Sequence, residues 1–329
     1  LEKRRNSAFA QKMKPVYKVM NQLSLLLHAL YACVLNLVIE AVSRHSLFKA
    51  WDYMAESPWT FLFNAYLIFI TFLIVYLVRR RVFTRILVSV FWLALGTANG
   101  YMLLIRVTPF NAQVLGDAVT LFDKYFTGFQ GVMLAIGIAA VTVWLISMWR
   151  RGGQYTGKMH RWIALIGVLT GFGITGFLTD FAIDKRVISN YFGNIAFAYE
   201  DYGLPYCFSA SLFNTGISEP NGYSKEAVAK ISNYGGIMEA ETSLEEMPNI
   251  IVIQLESFFD PYEVEFFTTS EDPIPNFRRL AKEYSSGYFK VPSVGAGTAN
   301  TEFEVLTGMS MRYFGPGEYP YKTVLKETQ

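Results

Sequence analysis

Five apolar runs constrain this chain more than anything else in it, because each is close to the ~20 residues that an α-helix needs to cross about 30 Å of hydrocarbon. They read as spans at Met20 to Val42, Trp59 to Val78, Val82 to Ile105, Phe129 to Trp149 and Trp162 to Ile183. A bilayer core offers the backbone no water, so such runs fold as helices that satisfy their own N–H and C=O groups. Composition agrees: 52% of the 329 residues are hydrophobic and 17% are charged, too apolar for an ordinary water-soluble protein. An odd number of crossings puts the two flanks of this region on opposite sides of the membrane.

The basic residues choose the sides. Residues 1–19 form a basic arm with Lys3, Arg4, Arg5, Lys12, Lys14 and Lys18, and the turns at Arg79 to Arg85 and Arg150 to Arg161 add four cations each. That makes fourteen on one side, against Arg44, Lys49, Arg106 and Lys124 on the other. The positive-inside rule therefore predicts a multi-pass protein of the cell membrane, with its N-terminus in the cytoplasm and everything after about Asp184 outside. No nucleic-acid partner is expected; membrane lipids are.

Within the spans, Glu40 and Asp180 sit near the ends, and the interior polar groups are residues such as Asn36, Asn64 and Asn99. Transporters and channels usually need ionisable groups or a polar pathway at mid-membrane, so transport loses weight against anchoring. Gly96 with Gly100, and Gly167 with Gly171, are small-xxx-small pairs that suit close helix packing. Between the third and fourth spans, Pro109 to Phe126 carries an apolar stripe at helical spacing. It fits an interfacial helix and a connector packed on the bundle equally well. Cys33 lies in a span and Cys207 far from it, so the two read as small hydrophobes rather than a disulfide.

Residues 184–248 turn polar and acidic and read as an extracellular linker, with a short helix over Tyr223 to Ile231 capped by Ser224. From residue 249 the pattern becomes α/β. A strand over Ile250 to Leu255 precedes a helix from Ile274 to Tyr284, a strand from Gly287 to Val291, and a helix from Thr298 to about Met309 closed by Gly308. The expected fold class is thus a multi-pass α-helical membrane domain over residues 20–183, followed by the N-terminal part of an extracellular α/β domain over 249–329. Two strands are too few for a stable sheet standing alone, so the α/β domain is expected to be incomplete within these residues.

Two stretches of this second region carry chemistry. Asn249-Ile-Ile-Val-Ile-Gln-Leu-Glu256-Ser-Phe258 is a β-branched run ending at a carboxylate, and ligands of open α/β sheets bind at that end of a strand. Val294-Gly-Ala-Gly297-Thr298-Ala-Asn300-Thr-Glu302-Phe303 delivers a hydroxyl to the start of a helix, where backbone N–H groups and the helix dipole favour an anion. Taken singly, a glutamate ending a strand is usually solvated, and a threonine after glycine usually caps a helix.

Together, Gln254-Leu-Glu256-Ser-Phe and Gly297-Thr298-Ala-Asn-Thr-Glu302-Phe303-Glu-Val-Leu-Thr-Gly308 resemble the lipoteichoic acid synthase family of the alkaline phosphatase and sulfatase superfamily. The resemblance covers about eighty residues of the catalytic domain. It implies that Thr298 is the catalytic nucleophile, that Glu256 and Thr298 are metal ligands, and that Asn300 and Glu302 stand close behind them. Asn300 departs from the aspartate often found there. The implied cofactor is a divalent metal, Mn2+ with Mg2+ or Zn2+ as alternatives. The implied reaction moves glycerol phosphate from phosphatidylglycerol to a glycolipid or growing polyglycerolphosphate chain through a threonine ester, in a Gram-positive cell envelope.

Relatives that transfer phosphoethanolamine, or phosphoglycerol onto glucans, share this logic, and a non-catalytic membrane anchor stands as the alternative outside enzymes. The family's Asp-His ligands have no counterpart here: His28, His45 and His160 all precede the motifs. On these residues alone the metal site is incomplete and the chain is expected to be inactive.

Overall fold

The computed structural model describes residues 23–106, 109–111, 114, 127–157, 160–213, 216, 222–234, 249–255, 258–292, 297–323 and 325. The basic arm, the stripe from Leu115 to Phe126, and Glu256 lie outside the described residues. The chain divides into two units. One comprises residues 1–215 with 315–318, and the other residues 216–314 with 319–329.

The regular structure of the first unit is helical throughout its described residues. Helix α1 spans Ser24–Ser43, α2 Leu47–Glu56 and α3 Pro58–Phe72, which continues as a 3-10 turn over Leu73–Leu77. Then come α4 (Arg81–Arg106), α5 (Gly128–Arg151), α6 (Arg161–Asp184), α7 (Ile195–Tyr202) and α8 (Leu204–Phe213). Five helical stretches are long and apolar enough to cross a membrane: Ser24–Ser43, Pro58–Leu77, Arg81–Ile105, Gly128–Arg151 and Arg161–Asp184. They fall where the hydropathy places them, within a few residues at each end.

Local chemistry sets the boundaries. Pro58 opens α3, where its missing N–H costs nothing. Thr127 and Gln130 form a reciprocal capping box at the start of α5, and Arg150 and Arg151 in its last turn oppose the negative end of the dipole. Ser46 caps α2 by accepting from the Lys49 N–H at 3.3 Å.

Packing in the helices depends on small residues. Gly96 of α4 faces Ile39 of α1 so closely that a Cβ would stand 3.1 Å from its Cγ2, and at Gly100 a Cβ would stand 2.8 Å from the Val42 carbonyl oxygen. Of the second glycine pair, Gly171 packs against Ile70 and Leu73, whereas Gly167 meets nothing. The core is built from Ala32, Leu35 and Ile39 of α1, Ile68 and Phe72 of α3, Trp92 of α4, and residues from α7 and α8. Helix α5 buries none of its described residues and α6 only Val168 and Ala182. Such unbroken apolar surface suits a hydrocarbon solvent and not water.

The segment read as the start of a linker is part of this core. Ala198, Tyr199 and Leu204 to Phe208 are buried, and polar groups of the long helices hold their backbone. The fully buried Asn64 donates to the carbonyls of Thr60 (2.8 Å) and Tyr202 (2.7 Å) and to the Tyr53 hydroxyl (3.0 Å), and its Oδ1 accepts from the Tyr206 N–H at 2.7 Å. Glu40, 1% exposed, accepts from the Leu204 N–H at 2.8 Å and from Arg44 Nε at 2.9 Å, while Arg44 Nη2 donates to the Glu200 carbonyl at 2.7 Å. The α7–α8 elbow turns at Gly203, whose φ of 81° only glycine adopts cheaply and whose missing Cβ leaves room for Tyr53 and Asn64. Cys207 donates its S–H to the Ala198 carbonyl at 3.2 Å, and burial pushes its thiol well above the ordinary 9.0.

The second unit contains α9 (Lys225–Tyr234), a 3-10 turn at Pro261–Glu263, α10 (Pro275–Glu283), α11 (Thr298–Thr307), a 3-10 turn at Met311–Tyr313 and a single turn α12 (Pro320–Thr323). Ser224 accepts from the Ala227 N–H at 3.1 Å, as a cap for α9 should. Neither expected strand is present: among the described residues there is no strand, and 250–255 and 287–291 run without ladder partners. The reason is physical. A strand exists only through its neighbours, and Ile250, Ile251 and Ile253 are 84%, 82% and 75% exposed, a core run with nothing laid against it.

Replacing Asn64 by Ala removes four bonds. The Thr60 carbonyl keeps its helix hydrogen bond, and the Tyr202 carbonyl, the Tyr53 hydroxyl and the Tyr206 N–H lose this partner at roughly 1–3 kcal/mol each. The expected outcome is a loss of about 3 kcal/mol or more in unfolding of the detergent-solubilised protein. Asn36→Ala, which removes one bond to the Phe61 carbonyl, should cost about 1 kcal/mol. Equal costs would contradict the keystone role. Cys207 should likewise resist maleimide until the protein is denatured.

Candidate active site

Thr298 is the first residue of α11. The turn into the helix is possible because Gly297 takes φ 98° and ψ 34°, a left-handed conformation that a side chain would strain. The Asn300 N–H closes that turn on the Gly297 carbonyl at 2.8 Å. Thr298 is half-buried, and its position puts the hydroxyl at the positive end of the ten-residue helix.

Helix α11 is anchored from its far side. Phe303 is 2% exposed and meets Phe314 and Tyr321 edge-on, with ring centroids 5.4 and 6.1 Å away. Glu304 accepts from the Met311 N–H at 2.5 Å, and Gly308 ends the helix at φ 69°. Asn300 is buried at 7% exposure. Glu302 accepts a hydrogen bond from the Tyr321 hydroxyl at 2.8 Å, which holds that proton on the phenol above its ordinary 10.0. Glu302 thus fixes α12 to α11. Sequence reasoning gave Tyr321 no part, and nothing around it signals one.

The two motifs meet. Gln254, two residues before Glu256, donates from Nε2 to the Thr298 carbonyl at 3.4 Å across 44 residues of chain. The bond is long, so its weight is positional rather than energetic. Glu256 itself lies outside the described residues, and no group of three or more His, Cys, Asp or Glu side chains gathers among those described. A hydroxyl and one carboxylate are fewer donors than a divalent metal needs, so the described residues do not by themselves make its site.

The loop after Glu256 is knit to α10 by Arg278. Its guanidinium bonds Asp260, reaches Asp272 at 3.0 Å and lies over the Tyr262 ring at 4.2 Å. Asp260 also accepts from the Tyr262 N–H at 2.9 Å, and Phe258 packs on Phe277 at 4.7 Å. The hydrogen bond from Arg278, with that from the Tyr262 N–H, holds the Asp260 carboxyl below its ordinary 3.8. The only sequence signal for this clamp was Asp260-Pro261, a turn motif.

Residues 248–328, about a quarter of the chain, match the sulfatase family. A protein of Rhizobium meliloti (strain 1021) named for cyclic beta-1,2-glucan modification is 31% identical over 128 residues, which is 39% of this chain and 19% of the relative. The match spans about a fifth of that relative's length. No solved structure matches the chain. The sulfatase likeness covers the stretch that contains Gln254, Thr298, Asn300 and Glu302, and the restriction to lipoteichoic acid synthases drawn from the motifs goes beyond it.

A carboxylate whose value is depressed in the folded state stabilises above its unfolded value and loses that contribution as pH falls through the folded one. Asp260 should therefore hold the loop at neutral pH and release it below about 3.8. Protection factors for amide exchange in residues 258–283, which correct for the slower intrinsic exchange in acid, should fall in the native protein as pH drops through that range. In Arg278→Ala exchange should already be fast at neutral pH, and the acid step should vanish.

Proposed function

We propose that this protein is a membrane-bound phosphotransferase that moves the phosphoglycerol headgroup of phosphatidylglycerol to a carbohydrate hydroxyl, with Thr298 as the nucleophile. The observation that carries this reading is the meeting of the two motifs, Gln254 against Thr298, within a stretch similar to sulfatases. The five apolar helices support a membrane setting, where a lipid donor is at hand. The N-terminus is assigned to the cytoplasm and the Thr298 region to the outside.

In this reading the Thr298 hydroxyl attacks phosphorus in line, diacylglycerol leaves, and an acceptor hydroxyl then removes the phosphoglycerol from the threonine. The positive end of α11 favours the negative charge that develops on the phosphoryl oxygens. Glu302 and Asn300 keep the turn of helix behind Thr298 in place. The roles of Glu256 and of a divalent cation, Mn2+, Mg2+ or Zn2+, rest on the family resemblance, and further ligands must come from outside the described residues.

The acceptor we favour is a glucan, because the Rhizobium meliloti relative is named for modifying one. A growing polyglycerolphosphate chain is the second reading, favoured by the likeness of the Thr298 motif to lipoteichoic acid synthases.

Native membranes given phosphatidylglycerol labelled in the headgroup should pass label to added cyclic glucan. Label should not pass from phosphatidylethanolamine labelled likewise. Thr298→Ala should lower transfer by at least a hundredfold, and Thr298→Ser should keep part of it. Transfer to a lipid-linked polymer instead of glucan would select the second reading, and unaltered transfer by Thr298→Ala would refute the nucleophile.

A further inference from the structure

Four arginines, Arg79, Arg80, Arg81 and Arg85, gather where the 3-10 turn ends and α4 begins. Arg80 is spoken for: it donates to the Trp149 carbonyl and to that of Gly152 at 3.3 Å, with its guanidinium 4.5 Å from the Trp149 ring. Arg81 lies 3.5 Å over the Tyr155 ring and 5.3 Å from that of Tyr76. The Nε atoms of Arg81 and Arg85 are closed off from solvent and have no hydrogen-bond partner among the described residues. Among those residues neither arginine is in an ion pair. They stand one turn apart on one face of α4, where like charges repel.

His28 of α1, only 5% exposed, meets the Tyr76 ring edge-on with centroids 5.4 Å apart. Its Nδ1 donates to the Ser24 carbonyl at 2.6 Å and lies 2.9 Å from the Tyr76 hydroxyl, which is itself 2.7 Å from Ser24 Oγ. His28 Nε2 is buried and bonds nothing among the described residues. Arg81 Nε and Arg85 Nε, both on permanent cations, lie closed off from solvent with no acceptor among the described residues. Burying positive charge without a counter-ion is expensive, and a guanidinium pair matches the oxygens of a phosphate better than any single point charge.

We propose that Arg81 and Arg85, walled by Tyr76 and Tyr155, bind one phosphate-bearing anion at the arginine-rich end of the helices. The place lies at the ends of two apolar spans, the level at which a phospholipid headgroup sits. A free phosphate offers the same oxygens. The inference needs only these helices and stands apart from the reaction proposed for Thr298. On the orientation proposed above it belongs to the cytoplasmic leaflet, away from any donor used outside.

The test uses the intact protein, delipidated in neutral detergent and followed by native mass spectrometry and thermal unfolding. Phosphatidic acid should be retained at one molecule per chain and should raise the unfolding midpoint, whereas diacylglycerol, the same lipid without phosphate, should do neither. Arg81→Gln with Arg85→Gln should weaken retention at least tenfold, and Arg150→Gln with Arg151→Gln should leave it unchanged. Arg81→Lys with Arg85→Lys keeps the charge and loses the fork, so it should fall between. Displacement by millimolar inorganic phosphate would assign the site to the free anion, and resistance to it would assign the headgroup. Equal retention of phosphatidic acid and diacylglycerol by the wild-type protein would overturn the proposal, even if the glutamine variants failed to fold. So would undiminished retention by folded Arg81→Gln, Arg85→Gln protein.

Discussion

The carboxamide of Asn64 is where α2, α3 and the α7–α8 elbow of the first unit are joined. It is fully buried, and it joins α2 through Tyr53, its own helix through Thr60, and the α7–α8 elbow through Tyr202 and Tyr206. Both of its polar atoms are used, so the site is satisfied rather than strained. Glu40 and Arg44 repeat the arrangement on α1, taking the Leu204 N–H and the Glu200 carbonyl. Inside an apolar bundle these polar groups have no water to fall back on, so they select one docking position for α7 and α8. The apolar packing of Phe72, Ile68, Ile39 and Tyr206 then closes around a geometry already chosen.

This division of labour explains what could be read from the sequence. A span of about twenty apolar residues leaves the backbone one solution, so the five long helices were legible to within a few residues. Gly96 and Gly100 were legible as a packing pair because only their spacing and size matter. The burial of residues 195–213 was not, since it depends on side-chain bonds from Asn64, Glu40 and Arg44 to distant backbone groups. Asn64 read as one polar residue in a span, and nothing in Gly203 or Leu204 announced its partners.

The second unit shows the opposite limit. Helices α10 and α11, the first opened by Pro275 and the second closed by Gly308, were legible because a helix carries its own hydrogen bonds, whereas Thr298 lies inside α11 and does not cap it. The expected strands were not realised among the described residues, because Ile250 to Leu255 finds no strand to pair with among them. The site was legible in part. Thr298 stands at the helix start the motif implied, and Gln254 links it to the first motif, but the clamp of Arg278 on Asp260 and Asp272 came only with the structure. Residues that act through backbone position, such as Gly297, leave a clear mark in sequence. Residues that act through a long side chain, such as Arg278 and Tyr321, leave almost none.

The account stands or falls on the Thr298 hydroxyl becoming an ester. The most direct measurement is peptide mass spectrometry of the intact protein from its own membrane, quenched in acid after brief exposure to phosphatidylglycerol with an isotopically labelled headgroup. The account predicts a labelled phosphoglycerol group on the peptide containing Thr298, lost when acceptor is added before the quench. A labelled product formed with no modification of that peptide at any quench time would contradict it.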